Sequence, residues 1–197
     1  MSRTVRHAIL IAAAAAALWL SGCASIPTAP TGLYAVGQAY HVRLGRDWSD
    51  LSHVIGGASS KVKVLTLDGP LLNRLYLTEG LVPGDSLVRR PRSDHANPPY
   101  RAHMSSSELV EFVADSVSAQ GFQRVETSNL RPAAFLTAAA LRFDLAAVTQ
   151  QGLDMQGTAQ AAEVDGKLYV LLYLAPREHY FAASLNEVER IFASVAP

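Results

Sequence analysis

Five of the six histidines, two aspartates beside a tryptophan and one serine–lysine pair are the residues of this chain whose types could do chemistry. His95, next to Asp94, and His103 lie on either side of a proline-rich stretch, so a metal centre would need a third ligand from His41, His53 or His179. Zinc sites use a tight histidine pair on a helix or paired cysteines, and neither spacing occurs. Scattered surface histidines are the expectation. Asp47 and Asp50 flank Trp48, a layout that could set an aromatic ring under a sugar with two carboxylates at hand. A tryptophan is far more often a core anchor. Ser60 and Lys63 are three residues apart, a useful spacing for a nucleophile and its base only on a helix. Here they run into the alternation Lys61-Val62-Lys63-Val64, and on a strand positions three apart face opposite ways. A nucleophile elbow, a P-loop and a dinucleotide fingerprint are all missing. The chain therefore reads as a non-enzyme with no cofactor and no metal site. A hydrolase with a site assembled from distant His and Asp residues stays open, because such sites are recognised by geometry.

The other reactive group is a single thiol. Cys23 is the only cysteine, so no disulfide within the chain and no thiolate metal site can form. Arg3 and Arg6 precede it without any acidic residue, followed by a 13-residue apolar stretch from Ala8 to Leu20 with six consecutive alanines, Ala12 to Ala17. Spanning a bilayer takes about 20 apolar residues, so this stretch is short for a transmembrane helix and suits a signal segment. Ser21 and Gly22 are small enough to let a peptidase reach the backbone. Leu20-Ser21-Gly22-Cys23 resembles the lipobox of bacterial, Gram-negative lipoproteins. That resemblance implies cleavage between Gly22 and Cys23, diacylglycerol on the Cys23 sulfur and acylation of the new amine. Two or three chains anchor stably where one binds only reversibly. Ala24 in place of Asp after the cysteine implies the outer membrane, with the domain facing the periplasm.

Lys+Arg and Asp+Glu number 17 each; residues 1–22 hold two arginines and no acid, which leaves the remainder slightly negative. That balance excludes nucleic acid as a partner on electrostatic grounds. What could recognise a partner is the stretch Ser86 to Arg101, where Arg89, Arg90, Arg92 and Arg101 crowd among Pro91, Pro98 and Pro99, with Tyr100 as a possible anchor. Arginine and tyrosine are enriched at binding hot spots, and a proline-stiffened loop loses less entropy on binding. A solvated connection whose arginines meet lipid phosphates is the plainer alternative.

The elements that would carry these residues can be read from pattern. Residues 1–22 form the signal, 23–32 a lipidated cysteine and an extended tether with Pro27 and Pro30, and 33–197 one domain. Strands are expected over Gln38 to Leu44, Lys61 to Leu67, Leu71 to Thr78, Phe135 to Thr149, Leu153 to Val164 and Lys167 to Ala175. Asp68-Gly69-Pro70 and Asp165-Gly166 mark turns, the latter a two-residue hairpin. Ser105 with Glu108 and Ser184 with Glu187 have capping-box spacing ahead of apolar stripes, so two amphipathic helices are expected. The fold class is α+β, a mainly antiparallel sheet packed by those helices.

The segment from Asp165-Gly166-Lys167-Leu168-Tyr169 through Tyr173-Leu174-Ala175-Pro176, Tyr180-Phe181 and the terminal helix resembles the close of Mog1/PsbP-like domains. Such domains mostly serve in binding and assembly, so the resemblance implies a non-enzymatic envelope module holding a protein partner. A small-molecule or lipid carrier is the alternative, with small residues over Thr137 to Ala140 and Thr158 to Ala162 leaving space beneath a helix.

Overall fold

Lys167–Pro176 carries an almost unbroken apolar run, and a strand of that kind needs cover on both faces. In the computed structural model, which describes residues 26–56, 61–88 and 97–197, it has that cover. The strands in chain order are β1 Thr28–Ala29, β2 Gly32–Val36, β3 Tyr40–Leu44, β4 Trp48–Asp50, β5 Val62–Thr66, β6 Arg74–Thr78, β7 Gln123–Phe135, β8 Ala138–Val148, β9 Asp154–Val164 and β10 Lys167–Pro176. The helices are α1, Ser106–Ser118, and α2, Ala182–Ala193. Eight strands make one sheet in the order β1-β4-β5-β6-β10-β9-β8-β7, and β2 with β3 makes a separate hairpin. All of these pairings are antiparallel. The fold is α+β and dominated by its antiparallel sheet.

Side chains along β10 alternate between two cores. Leu168, Val170, Leu172 and Leu174 join Tyr76, Phe143 and Ala159 beneath Leu109, Phe112, Val113 and Val117 of α1. Leu171, Tyr173 and Ala175 join Leu75 and Leu77 against Val188, Ile191 and Phe192 of α2, with Tyr40, Val42 and Leu44 of the hairpin alongside. Each fully buried leucine contributes about 1.5–3 kcal/mol, so this strand alone anchors much of the domain. The small residues expected to leave room for a carrier are packed: Ala159 and Ala161 lie in the first core, Ala140 and Ala162 in the second.

Local chemistry sets the turns. Val164 pairs with Lys167, and the residues between, Asp165 and Gly166, both have positive φ, +51° and +70°. That is the two-residue turn that matches strand twist. At α1 the Ser105 hydroxyl accepts from the Glu108 N–H while the Glu108 carboxylate accepts from the Ser105 N–H, a complete capping box.

Four expectations need correction. The tether expected to end at Gly32 is already in the sheet by Thr28, because Thr28 pairs with Ser49 and Ala29 with Trp48, and Ala29 is buried. β2 follows at once as the partner of β3. β7 was not expected at all. It is an edge strand exposed over most of its length, with register shifts between Gln123 and Glu126 and between Ser128 and Arg131, so it shows no apolar alternation. β6 starts at Arg74 and not at Leu71, since the buried Asn73 side chain accepts from Thr66 Oγ1 and the Leu67 N–H and shapes the loop before it. The second capping box does not form. An irregular turn, Arg177–Phe181, feeds α2 from Ala182, which puts Ser184 and Glu187 inside the helix and buried. Glu187 accepts instead from the Gly45 N–H at 2.6 Å, an approach that a Cβ on Gly45 would block.

Candidate functional site

Where α1 ends, three connections converge: the loop before β6, the residues after α1 and the turn from β8 to β9. They enclose a cleft of about 230 Å³. Arg74, the first residue of β6, stands opposite Leu174. Its Nε donates to the Pro70 carbonyl at 2.5 Å and its Nη1 to Tyr76 Oη at 3.3 Å and to Gln120 Oε1 at 3.1 Å. Tyr76 Oη donates to the same Gln120 oxygen at 2.6 Å. Two donors aimed at one atom fix the amide, because turning it over would set donor against donor. Gln120 Nε2 is left buried with no acceptor among the described residues. Arg74 enters no ion pair among them either. Burial raises the Tyr76 phenol above its ordinary value, with the Arg74 charge and the hydrogen bonds opposing. Leu71, Phe122, Met155 and Leu174 give the cleft an apolar lining beside these polar groups.

A second concavity, of about 420 Å³, runs over β7, β8 and β9 between Arg124, Glu126, Asp144 and Arg177. Of its lining carboxylates, Asp144 is matched locally. Arg131 donates to Asp144 at 3.0 Å and Asn129 donates to Asp144 at 2.8 Å. Burial raises the Asp144 carboxyl, but the bonds from Asn129, Arg131 and Thr158 bring it below the usual range. Beside it Arg142 is almost fully buried, donates to Thr158 and Glu189, and lies 4.5 Å over the Phe192 ring.

The residues singled out in the sequence fall in several places. Gly22, Cys23, Arg89, Arg90, Arg92, His95 and Ser60 lie outside the described residues. Tyr100 is not a surface anchor: it is 1 % exposed, packs edge-on against Phe112 and donates to the Gly166 carbonyl. Its ring ties the chain after residue 97 to the core under α1. Arg101 is exposed and pairs with Glu108 at 3.2 Å, beside a shallow groove lined by Pro98, Pro99 and Met104. The loop's described roots are tied by Asn97 Nδ2 donating to the Val88 carbonyl at 2.8 Å. Trp48 is not a sugar platform, since it is 1 % exposed in the second core. Asp47 is held by the Thr31 N–H and hydroxyl, and Asp50 by the Tyr34 hydroxyl. His103 pairs with Glu163 and His41 contacts the Pro197 carbonyl. Among the described residues no three His, Cys, Asp or Glu gather as metal ligands. In the sequence Arg74 only closes the stretch Asp68 to Arg74, which reads as a turn between paired strands, and nothing marks Gln120. They are 46 residues apart, and no motif connects a strand's first residue to the residue after a helix cap.

The chain matches no known family model and no curated protein sequence. Solved structures do resemble it. Cyanobacterial PsbP (CyanoP) from Synechocystis is 15% identical, covers 90% of this chain and 98% of its own, and has a TM-score of 0.56. The Ran-binding protein Mog1p of Saccharomyces cerevisiae is 10% identical, covers 87% of this chain and 96% of its own, with a TM-score of 0.52. At such identities the fold is what is shared. The resemblance carried by the last 40 or so residues thus extends to the layout of the whole domain.

Proposed function

We propose that this protein is a lipoprotein of the Gram-negative envelope, a non-enzymatic binding or assembly module held at the outer membrane by acyl chains on Cys23. The observation that carries the reading is the single cysteine at the end of Leu20-Ser21-Gly22-Cys23, directly after the apolar stretch. The start of β1 at Thr28 sharpens it, because five residue steps span at most about 18 Å, so the domain would ride close to the bilayer. In this reading the sheet, packed by two amphipathic helices, is a stiff platform. The yeast protein of similar fold is named for binding Ran, which supports a protein partner for this layout. The contact surface is the loop bearing Arg89, Arg90, Arg92 and Arg101, and a membrane tether raises its effective concentration towards envelope proteins.

Mass spectrometry of the membrane fraction tests the anchor. The expected N-terminal peptide begins at Cys23 and carries two or three acyl chains, and Cys23→Ala abolishes both cleavage and acylation. An intact peptide running through residues 20 to 26 would overturn it. The contact surface is tested by cross-linking in native cells: Arg89→Ser, Arg90→Ser and Arg92→Ser together weaken partner capture at an unchanged melting temperature. Unaltered capture removes the loop from the reading.

A further inference from the structure

We propose that the cleft between Arg74 and Gln120 binds a small apolar molecule through its carboxylate. The inference does not depend on the membrane anchor. Arg74 brings the positive charge, and it is held still: Pro70, Tyr76 and Gln120 take its Nε and Nη1, while its Nη2 has no partner among the described residues. A pre-positioned guanidinium loses little freedom on pairing with a carboxylate, and such charge-assisted bonds are the strong ones. Gln120 Nε2 is a second donor in the same wall. Its orientation is forced by the two donors on its oxygen, and a buried N–H without an acceptor is uncommon enough to need a reason. A ligand oxygen held by Nη2, with a small shift of the amide that bares Nε2 to the cleft, provides one.

The remaining lining describes the rest of the ligand. Met155 and Leu174 are buried, Phe122 is partly buried, and Leu71 is 80% exposed on the same cleft. An apolar body packed there would cover the leucine. At about 230 Å³ the space lies just below the usual range of ligand pockets, about 300–1,000 Å³, which restricts the body to something small. The charge is limited as well. The cleft adjoins the C-terminal end of α1, where the peptide dipoles present negative charge, and only one arginine opposes it. A monoanionic carboxylate fits that balance, whereas a dianionic phosphate does not.

A free carboxylic acid and the C-terminal residue of a peptide share this chemistry. The test titrates the full-length protein in detergent with 3-phenylpropionate, with its neutral counterpart 3-phenylpropanamide, and with N-acetylglycylphenylalanine, reading amide NMR resonances. Saturable shifts are expected at the Gln120 side chain and the Gly121 backbone for at least one of the two acids. The better acid identifies the source. The amide should bind at least tenfold more weakly, and Arg74→Gln should weaken the acid by a similar factor. Should Arg74→Gln fail to fold, Gln120→Met keeps the question open to refutation, with binding several-fold weaker expected. Equal affinity for acid and amide, undiminished binding by a folded variant, or shifts confined to other regions would each overturn the proposal.

Discussion

At one end of the sheet β9 turns into β10 and the charged groups are matched locally, with Asn97 Oδ1 the buried exception, while at the other end β6 begins and a cation and an amide are left partly unused beside a cleft. The matched end has the Asp165-Gly166 turn, the paired backbones of Leu81 and Leu168, the Lys61–Asp85 ion pair at 2.8 Å and the Tyr100 hydroxyl on the Gly166 carbonyl. The open end has Arg74 and Gln120, whose mutual bonds use only part of what each offers. Both ends rest on the same two apolar cores. What differs is that the open end sets a cation with a spare donor beside a cleft, and that is the property a binding site needs.

Breaking the closed end should cost most. Tyr100→Ala removes a buried aromatic from the α1 core and should lower stability by about 3–5 kcal/mol, read from urea unfolding. A loss near zero would restore Tyr100 as a surface residue. At the open end the vulnerable feature is backbone proximity. A Cβ on Gly157 would sit 2.6 Å from Leu174 Cδ2 and 2.8 Å from the Tyr173 carbonyl, so Gly157→Ala should cost about 1–3 kcal/mol by overpacking. The shift in urea midpoint checks it.

A smaller effect titrates. Burial raises the Asp85 carboxyl, but the Lys61 ammonium and the Val82 N–H hold it below the ordinary value in the folded protein. Its contribution is therefore complete above the unfolded-state value near about 4 and fades as pH falls through the lower folded value. Melting temperatures between about pH 5 and pH 3 should decline less steeply in Asp85→Asn than in the parent, and parallel curves would remove the pair from the acid limb. Smallest of all, Leu71→Ser should leave stability within about 0.5 kcal/mol, because the side chain is exposed. A large loss by denaturant titration would mean that the cleft rim is part of the core.

The contrast between the ends also explains what the sequence could reveal. Asp165-Gly166 and the Ser105–Glu108 box are short-range devices, each complete within four residues, and both form as read. The β10 run announces itself by being apolar almost throughout, and the α1 stripe by its period. β7 hides because an edge strand with two irregularities and exposed faces has no period to show. Ser184 and Glu187 have capping spacing, but the turn at Arg177–Phe181 starts the helix early, and a long-range bond to Gly45 takes the carboxylate. Tyr100 sits among prolines and arginines, and only the fold shows that its ring turns inward. The cleft was illegible for the same reason, since Arg74 and Gln120 meet only through the antiparallel arrangement of β6, β10 and the end of α1.

β1 gives the chain a mechanical property as well. Its attachment is short: the Thr28 and Ala29 pairings, the small buried Ala29 side chain, the Asp50 N–H on the Pro27 carbonyl and the two Thr31 bonds to Asp47. Tension applied at the N-terminal side would unzip these contacts first, because they precede β2 and the core hairpin behind it. Each residue released adds about 3.3–3.6 Å of slack, so the segment from Thr28 to Gly32 stores roughly 15 Å of extra reach. Under load the domain could stand off from whatever holds its front end without unfolding, and it would draw back when the load is released.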